Sequence, residues 1–262
     1  MKHLFFRLKA YLQYLLRAKG VGNMHSPFVY DFMVNVLHDR RHFYAYDEIE
    51  SLRSRLLSSD EIISVIDYGA GADAPIPEKR RVRDVLKKSA KPARQAQLLF
   101  RIVVYNKCMQ LLELGTSLGI SAMYLAKASI KAKVISLEGS PALAAKARSN
   151  FISAGINNIE VIEGPFATTL MKALEKSGKP DLVFFDGNHR LEPTLQYFSQ
   201  ALAFADEQSI FVFDDIHWSP EMNAAWKIIK GNARVTLTID LFHFGIVFFR
   251  KQLSKQDFIL RT

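Results

Sequence analysis

The chain has 262 residues, 49% of them hydrophobic, and a formal net charge of +9 at pH 7. This is enough apolar material for one large buried core with an appendage. The single cysteine, Cys108, excludes an internal disulfide bond and indicates a reducing compartment. No apolar run reaches the roughly 18 residues that a transmembrane helix needs. We therefore expect a cytoplasmic protein.

The first 19 residues have the pattern of a basic amphipathic helix. Apolar side chains recur at helical spacing, with lysines and arginines between them. Such a helix can lie on an anionic membrane, or it can dock on the remainder of the chain or on a second subunit of a homodimer. Docking is the commoner outcome and the one we expect. The apolar positions are Leu4, Phe5, Leu8, Leu12, Leu15 and Leu16.

Positive charge is concentrated in the first part of the chain. Residues 1–101 carry 18 Lys and Arg against 11 Asp and Glu, whereas residues 102–262 carry 17 against 15. A basic segment can recognise nucleic acid or an anionic substrate. No RNA-binding motif accompanies it, so a solvated basic face is expected and nucleic acid stays an open alternative.

A glycine-containing segment at residues 67–72 imitates a cofactor-binding turn. Pro75 and Pro77 follow it, and prolines so close together cannot open a helix that holds a ligand. We interpret the segment as a loop of an accessory region, where it could act as a lid. The sequence thus predicts a mainly helical accessory region over residues 1–95 and a ligand-binding domain over residues 96–262.

The most informative segment is residues 109–121. Apolar residues predict a buried strand over residues 111–114 that carries one acid, Glu113. Gly115 and Gly119 then form a turn, and a helix begins directly after it. Glycines let the backbone approach a ligand closely, and the first turn of a helix presents unpaired N–H groups to that ligand. The spacing lacks the third glycine of the dinucleotide fingerprint and the Gly-Lys-Ser of a phosphate-binding loop.

A second acid follows at the end of the next predicted strand. Residues 133–138 form that strand, and Glu138 is its last residue. An acid about 20 residues after a glycine turn is placed to accept hydrogen bonds from both hydroxyls of a ribose. A third strand, residues 159–162, leads into a Gly-Pro-Phe turn. Phe166 of this turn could pack on a purine ring or in the core.

Two further apolar strands end in carboxylates. The strand over residues 181–186 ends in Asp186, and the next is followed by the pair Asp214 and Asp215. A hairpin pattern over residues 235–249 comes last. Alternating strands and helices predict a parallel sheet, to which the hairpin adds an antiparallel strand. Functional side chains of such a sheet lie at the carboxyl ends of its strands, where these acids stand.

Four segments within residues 96–250 resemble class I S-adenosylmethionine (SAM) methyltransferases: LLELGTSLGIS, VISLEGSP, LVFFDGNHR and VFDDIHW. The resemblance is strongest to the small-molecule O-methyltransferases of the catechol and caffeoyl-coenzyme A type. It implies an α/β fold with a Rossmann-like seven-stranded sheet, mostly parallel with an antiparallel closing hairpin. It also implies transfer of a methyl group from SAM to an oxygen, or less readily a nitrogen, of a small-molecule acceptor.

The resemblance also implies which residues bind SAM. The glycine turn holds the amino-acid end of the cofactor, Glu138 holds the ribose, and the turn after the third strand borders the adenine. The cofactor residues are therefore predicted to be Glu113, Gly115, Thr116, Ser117, Gly119, Ser121, Glu138, Gly139, Ser140, Gly164, Pro165, Phe166 and Asp186.

A divalent cation is a further implication of the resemblance. In the catechol type, an Asp after the fourth strand and an Asp-Asn pair after the fifth hold a cation that lowers the pKa of the acceptor oxygen. Asp186, Asp214 and Asp215 stand at these positions, with Asp in place of the Asn. Three carboxylates would suit Mg²⁺, Ca²⁺ or Mn²⁺. Alternatively, Asp186 acts on the SAM amino group or as a base, and Asp215 caps a helix.

Methyl transfer also needs an acceptor held in line with the methyl group and a route for the acceptor proton. His189 and His217 follow strands that end in acids, and histidine titrates near neutral pH. Together with Asp186 they are the candidate catalytic residues, although a single histidine in a loop is more often structural.

Two other functions fit parts of the pattern. A nucleotide-cofactor (NAD-type) oxidoreductase can use a similar sheet, but the missing third glycine and the hairpin count against it. A SAM-binding domain without activity could serve as an interaction module, and the acids at five strand ends count against that function. The sequence leaves the acceptor open, because one scaffold of this class serves many substrates.

Overall fold

The structure is a computed structural model that describes residues 2–66, 68 and 76–261. Most of the predicted glycine segment, residues 67–72, lies outside these residues. Within them, no helix combines the length and the apolar character that crossing a membrane requires.

The chain divides into two compact units. Residues 39–177 form one, here called the central unit, and residues 1–38 with 178–262 form the other, here called the terminal unit. The predicted accessory region, residues 1–95, is therefore divided between the two. Each unit contains strands and helices, which are numbered along the chain.

The central unit begins with a helix and a small hairpin, then alternates strands and helices as the sequence predicts. Its elements are α3 (Tyr44–Leu57), β1 (Ile62–Val65), β2 (Glu78–Arg81), α4 (Val82–Ser89), α5 (Ala93–Asn106), β3 (Gln110–Leu114), α6 (Ile120–Lys127), β4 (Lys133–Glu138), α7 (Pro141–Ser153), β5 (Ile159–Glu163) and α8 (Phe166–Ser177).

The three long strands of the central unit are parallel. β4 pairs with β3 on one side and with β5 on the other, so that Ser136 is opposite Glu113. The first seven residues of α6 are all buried, which explains why its sequence is apolar on every side. Because the strands are parallel, their carboxyl ends, and the acids there, lie at one edge.

The terminal unit combines the N-terminal helices with the last part of the chain. Its elements are α1 (Lys2–Arg17), a 3₁₀ turn (Val21–Asn23), α2 (Pro27–Phe32), a π-helical turn (Met33–Leu37), β6 (Leu182–Phe185), α9 (Leu191–Phe204), β7 (Ile210–Asp214), α10 (Pro220–Gly231), β8 (Leu237–Asp240), β9 (Phe244–Phe248) and β10 (Gln256–Ile259).

The strands of the terminal unit confirm the predicted closing hairpin. β6 and β7 are parallel, and β9 lies antiparallel between β7 and β8. Every residue of β6, β7 and β9 is buried, and the Phe185 and Phe213 rings stack with centroids 4.3 Å apart. The mostly parallel α/β fold with an antiparallel strand is the fold class that the sequence predicts.

In the terminal unit, the strand β10 was not predicted. β10 pairs in parallel with β8 and adds a strand to the seven expected. Its residues are exposed or half-buried, and the segment lacks the apolar alternation from which strands are predicted. Backbone pairing, including the bond from the Gln256 N–H to the Thr236 carbonyl, forms it instead.

Candidate functional site

The turn between β3 and α6 requires glycine. Gly115, Ser117 and Gly119 have φ angles of 107°, 49° and 86°, all in the left-handed region. A Cβ atom at Gly119 would also lie 2.7 Å from Cζ of Phe151, so a larger residue meets both backbone strain and a clash. The sequence pattern of this turn therefore reflects a backbone that brings the start of α6 close to the end of β4.

Hydrogen bonds hold the turn against β4. The N–H groups of Gly115 and Thr116 donate to the Leu137 carbonyl at 3.0 and 3.1 Å. The Ser117 N–H donates to Oε2 of Glu138 at 2.7 Å. The glycine turn and the second predicted acid thus form one site.

Glu138 is fixed by backbone donors on both of its oxygens. Oε2 accepts from Ser117, and Oε1 accepts from the Ser140 N–H at 2.9 Å. A carboxylate oxygen accepts more than one hydrogen bond, so an oxygen that accepts an N–H can also accept a hydroxyl. The side chain is nearly buried, which holds the acceptor in a single orientation. The predicted binding of ribose hydroxyls by this carboxylate stays a prediction.

Glu113 lies beneath the turn and is fully buried. Ser136 donates to its Oε2 at 2.6 Å, and Thr116 Oγ1 lies 2.5 Å from Ser136 Oγ. Burial raises the pKa of Glu113 to about 7, while the Ser121 and Ser136 hydroxyls oppose the rise. The geometry makes Glu113 a support of the turn; its predicted contact with SAM stays a prediction.

The turn after β5 adjoins the turn that follows β4, residues 138–140, here called the Glu138 turn. Gly164 has a φ of 134°, and its N–H donates to the Glu138 carbonyl at 2.9 Å. Pro165 precedes α8, which Phe166 begins with a half-buried side chain. The carboxyl ends of β3, β4 and β5 therefore bring together all the predicted cofactor residues except Asp186, which belongs to the terminal unit.

The accessory region contributes contacts that the sequence did not reveal. A Cβ atom at Gly139 would lie 2.6 Å from Cδ2 of Tyr68, so the Tyr68 ring covers this glycine. The Ile66 N–H donates to Ser140 Oγ at 3.1 Å, and the Ser89 and Ser117 hydroxyls are 2.7 Å apart. The lid role of residues 67–72 stays a prediction, but Tyr68 is adjacent to the Glu138 turn.

In the terminal unit, the structure brings Asp186, His189 and Asp214 together. Each residue offers one ligand atom, and these atoms lie within 4.8 Å of one another. His189 Nε2 is 3.9 Å from Asp186 Oδ1 and 4.0 Å from Asp214 Oδ2, too far for direct hydrogen bonds. Asp214 ends β7 and is almost fully buried. The cluster has the donor types and spacing of a metal site.

The third residue of the predicted metal set, Asp215, is not a member of this cluster. Asp215 has a φ of 52°, and its carbonyl accepts from the Trp218 N–H in a tight turn. Its metal role stays a prediction. The alternative that Asp215 caps a helix is wrong, because the Ser219 side chain caps α10 by accepting from the Met222 N–H.

His217 is held at both ring nitrogens. Its Nε2 lies 2.8 Å from Asp240 Oδ2, and Asn223 Nδ2 lies 2.8 Å from its Nδ1. With the Asn223 amide donating to Nδ1, Nε2 carries the proton and donates to Asp240. The ring also stacks on Phe242. The role of His217 as a base stays a prediction, and the geometry favours His189. Asp240, at the end of β8, is the partner that sequence reasoning missed.

The segment that carries these acids matches a known family. Residues 112–216 match the model of a family described as a methyltransferase domain. The match includes the glycine turn, Glu138 and the Asp186–Asp214 cluster, so the resemblance recognised in the sequence is confirmed.

Solved methyltransferase structures have the same fold as this chain. The SAH-bound methyltransferase PaMTH1 of Podospora anserina has a TM-score of 0.59 at 18% identity, covering 87% of this chain and 98% of its own. The O-methyltransferase from Bacillus cereus, in complex with SAH, has 0.56 at 19%, covering 86% and 97%. TomG from Streptomyces achromogenes, an O-methyltransferase of tomaymycin synthesis in complex with SAM, has 0.56 at 18%, covering 85% and 95%. No curated protein matches the chain.

Proposed function

We propose that the protein transfers the methyl group of SAM to an oxygen of a small-molecule acceptor. The observation that carries this proposal is the Glu138 turn, in which two backbone N–H groups fix a carboxylate beside a glycine turn. This turn lies within the segment that matches a methyltransferase domain. An NAD-type oxidoreductase is disfavoured by the same match.

The residues of the central unit fit SAM. Glu138 has acceptor capacity for the ribose hydroxyls, and the start of α6 presents N–H groups that suit the carboxylate of an amino acid. The cofactor supplies an electrophilic methyl group on a sulfonium centre. The solved structures with SAM or SAH and the same fold support this assignment.

We assign the Asp186–His189–Asp214 cluster to the acceptor. Two carboxylates this close favour a cation or a proton between them. A divalent cation held by these residues would bind the acceptor oxygen and lower its pKa. One nitrogen donor with two carboxylates suits Mn²⁺ better than Ca²⁺, which prefers oxygen donors alone. This refines the predicted set of three carboxylates.

The same cluster can act without a cation. His189 would then accept the acceptor proton, and the two carboxylates would stabilise the resulting imidazolium. A chelator distinguishes the two routes, because only the route through a divalent cation is lost when the cation is removed.

A methyl-transfer assay with catechol as a vicinal-oxygen probe tests the proposal. We expect turnover with labelled SAM, loss of turnover in excess chelator, and recovery on adding Mn²⁺. Asp214→Asn should reduce turnover by at least about a hundredfold, the scale of losing a metal ligand or a charged partner. Asp47→Asn, an exposed residue of α3, is the matched control.

Two other outcomes of this assay would each change the proposal in a different way. If turnover is complete in excess chelator but is lost in His189→Ala, the reaction uses His189 as the base and needs no cation. If the protein binds SAM but transfers no methyl group to oxygen, nitrogen or other acceptors, it is an inactive SAM-binding module and not an enzyme.

A further inference from the structure

The N-terminal helix α1 exposes a continuous apolar face. At 100° per residue, six apolar side chains fall within an arc of about 120°. Phe5 is 72% exposed, Leu12 53% and Leu16 87%, although residues of these types are usually buried. The face consists of Leu4, Phe5, Leu8, Leu12, Leu15 and Leu16 and is called here the leucine face.

The other side of α1 is docked on the terminal unit. The Tyr14 hydroxyl donates to the Leu260 carbonyl at 2.5 Å, and the Tyr11 ring packs edge-on against Phe242 with centroids 4.9 Å apart. The Arg7 guanidinium lies 4.1 Å from the centre of the Trp218 ring. These contacts fix the rotation of the helix. The leucine face therefore points away from the side that packs on the unit.

The charge along α1 is positive. Helix α1 contains no acidic residue, and Lys9 and Arg17 are exposed on it. Lys19 and Arg261 add exposed cations just beyond the helix, and Arg261 donates to the Leu15 carbonyl at 3.3 Å. A second copy packed on the leucine face would bring a second helix of the same positive charge next to the first. An anionic surface instead complements this charge.

We propose that α1 binds the protein to an anionic membrane surface. The leucine face would lie at the boundary between the lipid headgroups and the acyl chains, and the basic residues would lie among the phosphate groups. Apolar burial and electrostatic attraction then act together on one helix. The proposal concerns binding alone and holds whether or not the protein methylates an oxygen.

Vesicle sedimentation of the full chain tests the proposal. The probes are phosphatidylcholine vesicles and vesicles in which about a third of the lipid is phosphatidylglycerol, a fraction that gives a strong surface potential. We expect binding to the anionic vesicles at least about tenfold tighter than to the neutral ones, and weaker binding when salt is raised.

Paired variants separate the two contributions. Leu8→Gln with Leu12→Gln should weaken binding by at least about tenfold, because two apolar side chains no longer enter the membrane. Ile130→Gln with Ile152→Gln changes two exposed apolar residues of the central unit and should not weaken it. Lys9→Gln with Arg17→Gln should weaken binding by about tenfold, and Lys131→Gln with Lys172→Gln should not.

Three results would overturn the proposal: no binding to anionic vesicles, equal binding to neutral vesicles, or unchanged binding of the leucine variant. Sedimentation equilibrium identifies the competing occupant. A dimer that the leucine variant dissociates, without vesicle binding, would show that a second copy covers this face. Circular dichroism checks that each variant keeps its helix content, which we expect because the substituted side chains are exposed.

Discussion

The acids at the strand ends of the two units are held in different ways. In the central unit, Glu138 accepts backbone N–H groups at 2.7 and 2.9 Å. In the terminal unit, Asp186 and Asp214 face His189 at 3.9 and 4.0 Å, beyond hydrogen-bond distance. Backbone donors hold the first carboxylate, which is the predicted partner of the ribose hydroxyls. The second pair faces a histidine at a spacing that leaves room for the proposed cation or proton.

The largest expected effect tests the turn that positions Glu138. Gly119→Ala should lower the free energy of unfolding by about 4 kcal/mol, because left-handed strain and a clash with Phe151 add together. Gly155→Ala is the matched control, since Gly155 has a φ of 63° but no atom within 4 Å of a Cβ there. That control should lose only about 1 kcal/mol. Equal losses in urea unfolding would show that packing against Phe151 is unimportant.

A pH effect tests the buried support of the same turn. The folded pKa of Glu113, about 7, lies above its ordinary value of 4.5. The stabilising contribution of its proton is therefore present below pH 4.5 and is lost as the pH rises through 7. Glu113→Gln cannot ionise. Its stability relative to the wild type should therefore rise by about 3 kcal/mol from acid to alkaline pH.

Unfolding measured at pH 5 and pH 8 gives that difference. Glu160→Gln, on the exposed side of β5, is the control and should show little change. A stability difference between Glu113→Gln and the wild type that stays constant with pH would contradict the raised pKa.

A smaller effect tests the Asp186–His189–Asp214 cluster of the terminal unit. His189→Ala should weaken Mn²⁺ binding by about 10- to 100-fold, because one donor of the cluster is lost. His42→Ala, an exposed histidine of the central unit, should leave it unchanged. Electron paramagnetic resonance of free Mn²⁺ measures both. Unaltered affinity in His189→Ala would remove His189 from the cation site.

The strands and acids that were predicted correctly are those that a short stretch of sequence is enough to indicate. The strand that ends in Glu138 is an apolar run that closes on an acid, and both features are visible without the fold. The contact of Tyr68 with Gly139 could not be predicted, because it joins residues far apart in the chain and depends on packing. The proximity of His189 to both Asp186 and Asp214 was not predicted either. A left-handed backbone at Asp215 marks a tight turn there, which strand-end spacing alone does not reveal.

Calorimetric titration with SAM tests the central claim most directly. The wild type should bind SAM and SAH, and Glu138→Ala should bind more weakly by about 1–3 kcal/mol, the scale for losing a charged hydrogen-bond partner. Glu160→Ala should bind as the wild type does. Binding of NAD without SAM, or unchanged SAM affinity in Glu138→Ala, would contradict the assignment of the glycine turn and Glu138 to the cofactor.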